Sequence, residues 1–203
     1  MIDWSNFNSC LLIEVTRPTG VFTSSAVAIN ETTILTAAHC LEGEILKVRV
    51  SNERAYNPRG KFFQVKSFDL HPDYDSKTSN YKCDIAKIIL KDKLPADTTF
   101  YPIIKENMKL TGNFLRLGYG ARVKENIRTL ITPVIKSLRL HEKVLELSDM
   151  FSYSGDSGGP IFMQSQGQMY LVAVHSTLSF GPEGKHSFNP LLSQHKKWIN
   201  SIE

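Results

Sequence analysis

At 203 residues, the chain has room for one large domain or for two small β-barrels packed together around a real core. With 41% hydrophobic and 22% charged residues it has the balance of a folded protein rather than a disordered one. A net charge of +4 without any basic run argues against nucleic acid as a partner, and no apolar stretch approaches the roughly 18 residues of a membrane helix.

The start, Met1-Ile2-Asp3-Trp4, lacks the charged and apolar regions of a secretory leader, so either the protein stays inside or a leader has been removed. Short apolar runs follow, separated by turn residues: Leu11-Leu12-Ile13, Ala26 to Ile29, Leu46 to Val50 and Phe62 to Val65. Later come Ile85 to Leu90, Phe114 to Leu117, Val144 to Leu147, Ile161 to Met163 and Tyr170 to Val174. Several alternate with period two and none holds a helical stripe over three turns, so the pattern predicts an all-β sandwich or barrel. Only the tail differs. Leu191, Leu192, His195, Trp198 and Ile199 recur at helical spacing, which predicts one helix over Pro190 to Ile202. No repeat, low-complexity segment or proline-rich linker divides the chain.

Three stretches carry chemistry. In Thr33 to Cys40, His39 directly follows an apolar strand and sits on small residues, which present its ring instead of burying it. The other histidines weighed, His71, His141, His186 and His195, read as surface or satisfied core residues. In Asn80 to Leu90, Asp84 opens a strongly apolar strand, where a carboxylate is either a turn former or a buried acid with a specific partner. In Tyr153-Ser154-Gly155-Asp156-Ser157-Gly158-Gly159-Pro160, three glycines bracket one hydroxyl and permit a turn that side chains block. There the N–H groups of Gly155 and Ser157 can point together at the oxygen of an attacked carbonyl, each such donor being worth about 2.7–4 kcal/mol of barrier. A glycine-rich hairpin gives the same pattern, so the turn alone only nominates Ser157 as a nucleophile.

Taken together, Thr36-Ala37-Ala38-His39-Cys40, Asp84-Ile85-Ala86 and Gly155-Asp156-Ser157-Gly158-Gly159-Pro160 resemble the trypsin-like (chymotrypsin-fold) serine proteases, in that family's order. Leu70-His71-Pro72-Asp73-Tyr74, Leu117-Gly118-Tyr119-Gly120 and Trp198-Ile199 extend the likeness over nearly the whole chain. The resemblance implies two six-stranded antiparallel barrels and a C-terminal helix. It places residues 1–104, with His39 and Asp84, in the first barrel, and residues 105–203, with Ser157, in the second. It implies a serine endopeptidase in which Ser157 attacks, His39 is the general base and Asp84 holds the imidazole. Gly155 and Ser157 would form the oxyanion hole, and Ser176 matches the family's serine beside the acid. It further implies a protein or peptide substrate, a monomer, a secreted or periplasmic location, and neither cofactor nor membrane. The alternative is an inactive homologue that binds partners through the same barrels.

The chain also departs from the family. Family zymogens release an Ile or Val amine that pairs with the aspartate before the nucleophile, but no Ile-Val-Gly-Gly-like start is present, and Met1 before a bulky Ile2 is not expected to be trimmed. A cation should therefore meet Asp156, and Arg116 is the candidate, as in some bacterial relatives. If the two pair, activity needs no cleavage. Cys40 lacks the family's partner cysteine near Ser24-Ser25, so Cys10, Cys40 and Cys83 are expected as thiols, a bridge to Cys40 being the alternative. A zinc site of His39, Cys40, Cys83 and Asp84 is awkward, because neighbouring side chains on a strand point apart, and no metal is expected.

The pocket implied by the resemblance comprises Phe151, Ser152, Ser154, His175, Ser176, Thr177 and Leu178. Trypsin itself has an aspartate where Phe151 stands, so cleavage after Lys or Arg is disfavoured. Glutamyl endopeptidases of this fold carry a histidine at the place of His175, which points to cleavage after Glu, helped by hydroxyl donors from Ser152 and Ser154. Gln or a small apolar residue remains the other choice, since Leu178 narrows the pocket.

Overall fold

The computed structural model describes residues 4–78, 81–111, 113–120, 129–131, 138–182 and 184–201. The first six strands are β1 (Cys10–Arg17), β2 (Gly20–Ala28), β3 (Thr33–Thr36), β4 (Lys47–Ser51), β5 (Phe63–Leu70) and β6 (Ala86–Leu90). They close an antiparallel barrel in the order β1-β2-β3-β6-β5-β4. Alternation along β1 explains the closure. Leu11, Ile13 and Val15 face one core with Ile34, Val50 and Ile88, while Cys10 and Leu12 face another. Both faces of β1 are buried from Cys10 to Val15, which is why that run is apolar except at Glu14, whose carboxylate is met by Arg49 and the Tyr56 hydroxyl.

Eight further strands follow: β7 (Phe114–Gly118), β8 (Thr129–Ile131), β9 (Leu138–His141), β10 (Val144–Ser148), β11 (Pro160–Ser165), β12 (Gln168–Val174), β13 (Thr177–Gly181) and β14 (Gly184–Pro190). They form two four-stranded sheets, β13-β14-β10-β9 and β12-β11-β7-β8. Phe114, Leu145, Leu147, Ile161, Met163 and Val172 come from both sheets and share one core. Among the described residues, the second half of the chymotrypsin-like fold is thus built of eight short strands in two four-stranded sheets that share this core. Thr129–Ile131 and Thr177–Gly181 are too short or too exposed to give an apolar run, and the sequence pattern passes over them.

A third core cluster joins the two sets of strands. Leu12, Val27, Leu35 and Ile85 pack in it with Leu117, Phe162, Val174 and Leu192. At the C-terminus, Pro190 still pairs with Val144, and the Leu191 N–H donates to the Lys143 carbonyl. Helix can begin only after that ladder ends, so the tail is shorter than its apolar spacing predicts. It is a 3-10 turn, Leu192–His195, followed by a single α-helical turn, Lys196–Ile199. Among the described residues, no helix is long and apolar enough to cross a membrane.

Candidate active site

Register brings the first two groups together. In the antiparallel β3–β6 pair Thr36 lies opposite Ala86, so the residues just after Thr36 and just before Ala86 emerge at the same end of the barrel. His39 follows in a 3-10 turn, Ala38–Leu41, and Asp84 sits between another, Tyr81–Cys83, and β6. The His39 Nδ1–H donates to Asp84 Oδ2 at 2.7 Å, and the His39 backbone N–H donates to Oδ1 at 2.9 Å. Ser176 brings a third donor from the other half, its hydroxyl bonding Oδ2. Asp84 is 5% exposed, whereas the His39 side chain is 38% exposed, so the carboxylate is sealed and the ring is presented.

These contacts fix the protonation states. Burial raises the Asp84 carboxyl, but the His39 bond and charge and the Ser176 hydroxyl outweigh it and leave it below the ordinary carboxylate value. Burial lowers His39, and the Asp84 hydrogen bond with further help from Cys40 more than reverses that, so the ring is raised. An ionised carboxylate only accepts, so Nδ1 carries the His39 proton and Nε2 is left for the cleft.

The turn carrying Ser157 is built on two left-handed glycines, Gly155 (φ 99°) and Gly158 (φ 81°). At Gly158 a Cβ would run into Thr36 Oγ1 and the Ser25 carbonyl, so the first barrel presses directly on the turn. Ser25 holds it from that side. Its hydroxyl donates to the Gly155 carbonyl at 2.8 Å, and its N–H donates to the Ser157 carbonyl at 2.9 Å. The amides of Asp156, Gly158 and Gly159 go to the carbonyls of Tyr153, His175 and Asp156. Among the described residues, those of Gly155 and Ser157 have no such partner. The Ser157 hydroxyl donates to the Ser176 carbonyl over a long 3.4 Å and is not bonded to His39. Ser157, His39 and Asp84 nevertheless line one cleft of about 570 Å³.

Beneath the turn, Asp156 and Arg116 are both fully buried. Asp156 accepts the N–H of Gly120 on Oδ1 and that of Tyr153 on Oδ2, each at 2.9 Å. Arg116 Nη1 lies 2.9 Å from Asp156 Oδ2, close enough for charge pairing but without aligning an N–H on it. The guanidinium bonds a second acid better. Nε reaches Asp149 Oδ2 at 2.5 Å and Nη2 reaches Oδ1 at 3.4 Å. Asp149 escapes the sequence reading because it precedes the pocket stretch in an unremarkable Ser-Asp-Met; the signal that it mattered was a buried arginine facing two acids.

Tyr153 and Ser154, and after β12 His175, Ser176, Thr177 and Leu178, line the same cleft. Ser152 is buried and Phe151 is 55% exposed, so Phe151 does not form a closed floor. His175 is 2% exposed and engaged at both nitrogens, Nε2 with the Ser152 hydroxyl at 2.8 Å and Nδ1 with Asn189 Oδ1 at 3.2 Å. The Asn189 amide donates to the Leu145 carbonyl and the Ser187 hydroxyl, so its oxygen faces the ring. His175 Nδ1 is therefore a donor, Nε2 an acceptor, and the ring neutral. Burial and the Arg116 charge lower its pKa to about 4. Sequence reading also missed Lys185, whose ammonium donates to the Ser152 carbonyl and lies over the Tyr153 and Phe180 rings. Cys10, Cys40 and Cys83 are thiols.

Comparison with known proteins agrees with this geometry. The family model described as Trypsin matches residues 10–199. Coagulation factor IX of Cavia porcellus is 26% identical over 201 residues, covering 84% of this chain and 69% of that protein. Phenoloxidase-activating factor 3 of Holotrichia diomphalia is 26% identical over 233 residues, covering 93% of this chain and 66% of that protein. Complement factor B of Bos taurus is 30% identical over 131 residues, covering 59% of this chain but only 16% of the relative.

Two stability outcomes follow from the buried charges. Arg116→Leu leaves Asp149 and Asp156 buried without their cation and should cost about 3–5 kcal/mol in urea unfolding; an unchanged midpoint would contradict the buried pairing. His175 has its folded pKa below the unfolded value, so the folded state binds fewer protons between them and stability rises with pH across that window. Lowering the pH from 6.5 to about 4 should therefore destabilise the protein, with His175 contributing on the order of 3 kcal/mol. His175→Gln should flatten that part of the stability profile.

Proposed function

This chain belongs to the trypsin family, and from that premise we propose that it is an active serine endopeptidase working through an acyl-enzyme on Ser157. The observation that carries the proposal is the His39 Nδ1–Asp84 contact of 2.7 Å, which turns Nε2 toward the cleft that Ser157 lines. Residues 1–104 and 105–203 are read as the two halves, with the site at their seam.

On substrate binding the Ser157 hydroxyl turns from the Ser176 carbonyl to His39 Nε2, a contact that commonly tightens only in the complex. Ser157 Oγ then attacks the scissile carbonyl and its proton passes to His39, which becomes imidazolium beside an Asp84 that stays ionised. Charge on the carbonyl oxygen is met by the N–H groups of Gly155 and Ser157. His39 hands the proton to the leaving amine, and water, deprotonated by the same ring, releases the acyl group. Because Asp156 is met by the Gly120 and Tyr153 amides and by Arg116, the turn is held in place by the chain's own interior, and we read the enzyme as needing no activating cleavage. The family resemblance is also the ground for reading it as a secreted or periplasmic monomer.

The preference we propose is for an acidic residue, Glu, before the cut. Asp149, the nearest candidate carboxylate to the Phe151 position, is consumed by Arg116. The Lys185 ammonium on the Ser152 carbonyl adds standing positive charge there. A bound carboxylate would draw the Ser152 hydroxyl toward itself while His175 takes up a proton.

A fluorophosphonate probe should label wild type and not Ser157→Ala; no labelling of wild type would favour the inactive, partner-binding homologue. Because His39 is raised above the ordinary imidazole value, kcat/KM should fall as pH drops through a limb lying above about 6.5. Asp84→Asn should lower kcat about 10⁴-fold and move that limb to lower pH. In a peptide-library cleavage profile, Glu should dominate before the cut, and Lys185→Glu should erase the preference. Arg, Lys or large aromatic residues at that position would reject the acidic reading.

A further inference from the structure

We propose that His71, Cys83 and His195 form a zinc site that ties the C-terminal segment to the loop carrying Asp84. The sequence places these residues far apart and gives none of them a role. The fold brings them together from the end of β5, from the 3-10 turn just before Asp84, and from the 3-10 turn after β14. The His71 N–H donates to the Ile85 carbonyl at 2.9 Å, which holds it beside that loop. All three are buried, at 8%, 7% and 4% exposure, and one donor atom from each lies within 4.8 Å of the others.

The hydrogen bonds already present show how the site would load. His71 Nδ1 accepts the Asp73 N–H at 3.2 Å, so the proton of the neutral ring is on Nε2, 3.1 Å from His195 Nδ1. His195 Nδ1 is then the acceptor and its own proton sits on Nε2. That N–H is buried, and the Lys82 backbone carbonyl bears on the ring without a well-aligned hydrogen bond to it. A neutral histidine with a bare Nδ1 and a protonated Nε2 is the tautomer that ligates through Nδ1. A tetrahedral zinc, with bonds of about 2.0–2.1 Å to nitrogen and 2.3 Å to sulfur, spaces its ligand atoms roughly 3.3–3.6 Å apart. The two nitrogens that meet need separate by only a few tenths of an ångström, and the sulfur needs to approach by up to about 1 Å.

Zn²⁺ takes the lone pairs of His195 Nδ1 and His71 Nε2, and the His71 proton moves from Nε2 to Nδ1. The Asp73 amide loses its acceptor there, while the negative charge of the Asp73 carboxylate, which bears on both His71 and Cys83, favours the cation. The Cys83 thiol proton leaves to solvent, so one proton is released for each zinc bound. The fourth position opens on a cavity of about 380 Å³ lined also by Asp73 and Glu106, and by Lys143, Lys196 and Lys197, whose charges oppose the cation. One sulfur and two imidazoles select zinc over calcium or magnesium. The simpler reading is a packed pair of rings, with His71 edge-on to His195 at 4.8 Å and tilted on Trp198 at 4.9 Å, and that reading predicts no metal binding.

Cobalt(II) separates the two. Chelator-treated, reduced protein titrated with Co²⁺ should develop a thiolate-to-cobalt charge-transfer band and the visible bands of tetrahedral cobalt, saturating at one ion per chain. Zn²⁺ should displace the cobalt and raise the melting temperature. Cys83→Ser and His195→Gln should each weaken Zn²⁺ binding by about 100-fold or more, beyond the 10–100-fold that a supporting residue costs. The Cys10→Ser/Cys40→Ser double variant should keep the charge-transfer band, which then comes from Cys83, and this decides the matter even if Cys83→Ser does not fold. No charge-transfer band on wild type or on that double variant, a band that survives Cys83→Ser, or zinc binding abolished by His39→Ala would each overturn the site.

Discussion

The Asp84 carboxylate is the point on which the site turns, because three donors from two distant pieces of chain converge on it. An acid at 5% exposure is costly to hold ionised, and it is held by the His39 backbone, the His39 ring and the Ser176 hydroxyl. The first two donors come with the β3–β6 register, since a shift of one residue would carry Asp84 to the other face of the sheet. The third comes from the start of β13, so the carboxylate is satisfied only when both sets of strands are docked. Assembly of the cleft and satisfaction of the Asp84 carboxylate are thus the same event.

The Ser157 turn obeys the same logic from the opposite side. Its backbone takes left-handed φ at Gly155 and Gly158, which only glycine adopts readily, and contacts from both halves hold it. Ser25 of β2 receives the Tyr119 N–H at 2.7 Å while its hydroxyl holds the Gly155 carbonyl, so one side chain couples the first barrel, the segment after β7 and the turn. The shared core of Leu12, Val27, Leu117 and Phe162 lies behind these bonds and keeps water from competing for them.

Much of this was legible in the chain. Short alternating runs gave an all-β protein, and the residues around His39, Asp84 and Ser157 named the groups that the fold gathers at one cleft. What escaped was whatever depends on side chains meeting across segments. Asp149 as the better partner of Arg116 and Lys185 on the Ser152 carbonyl have no local signature. His71 and His195 read as ordinary histidines because nothing in either neighbourhood announces the other, 124 positions away, until two turns bring them within 3.1 Å. The tail shows the limit of periodicity from another direction: its apolar spacing is helical, but a strand ladder through Leu191 claims the first residues before a helix can start.

A fully buried cation, Arg116, links architecture to the cleft. Arg116 lies against Asp149 and Asp156, and its field is also the second cause, after burial, that keeps the His175 ring neutral. Removing the guanidinium would therefore do two things at once. It would leave two acids uncompensated beneath the Ser157 turn, and it would let His175 gain a proton more readily at the edge of the cleft. Substitutions at Arg116 and at His175 should then fail to add, since each changes the electrostatic setting of the other. Holding the turn and setting the polarity of the pocket are not separable tasks in this protein, because one buried cation does both.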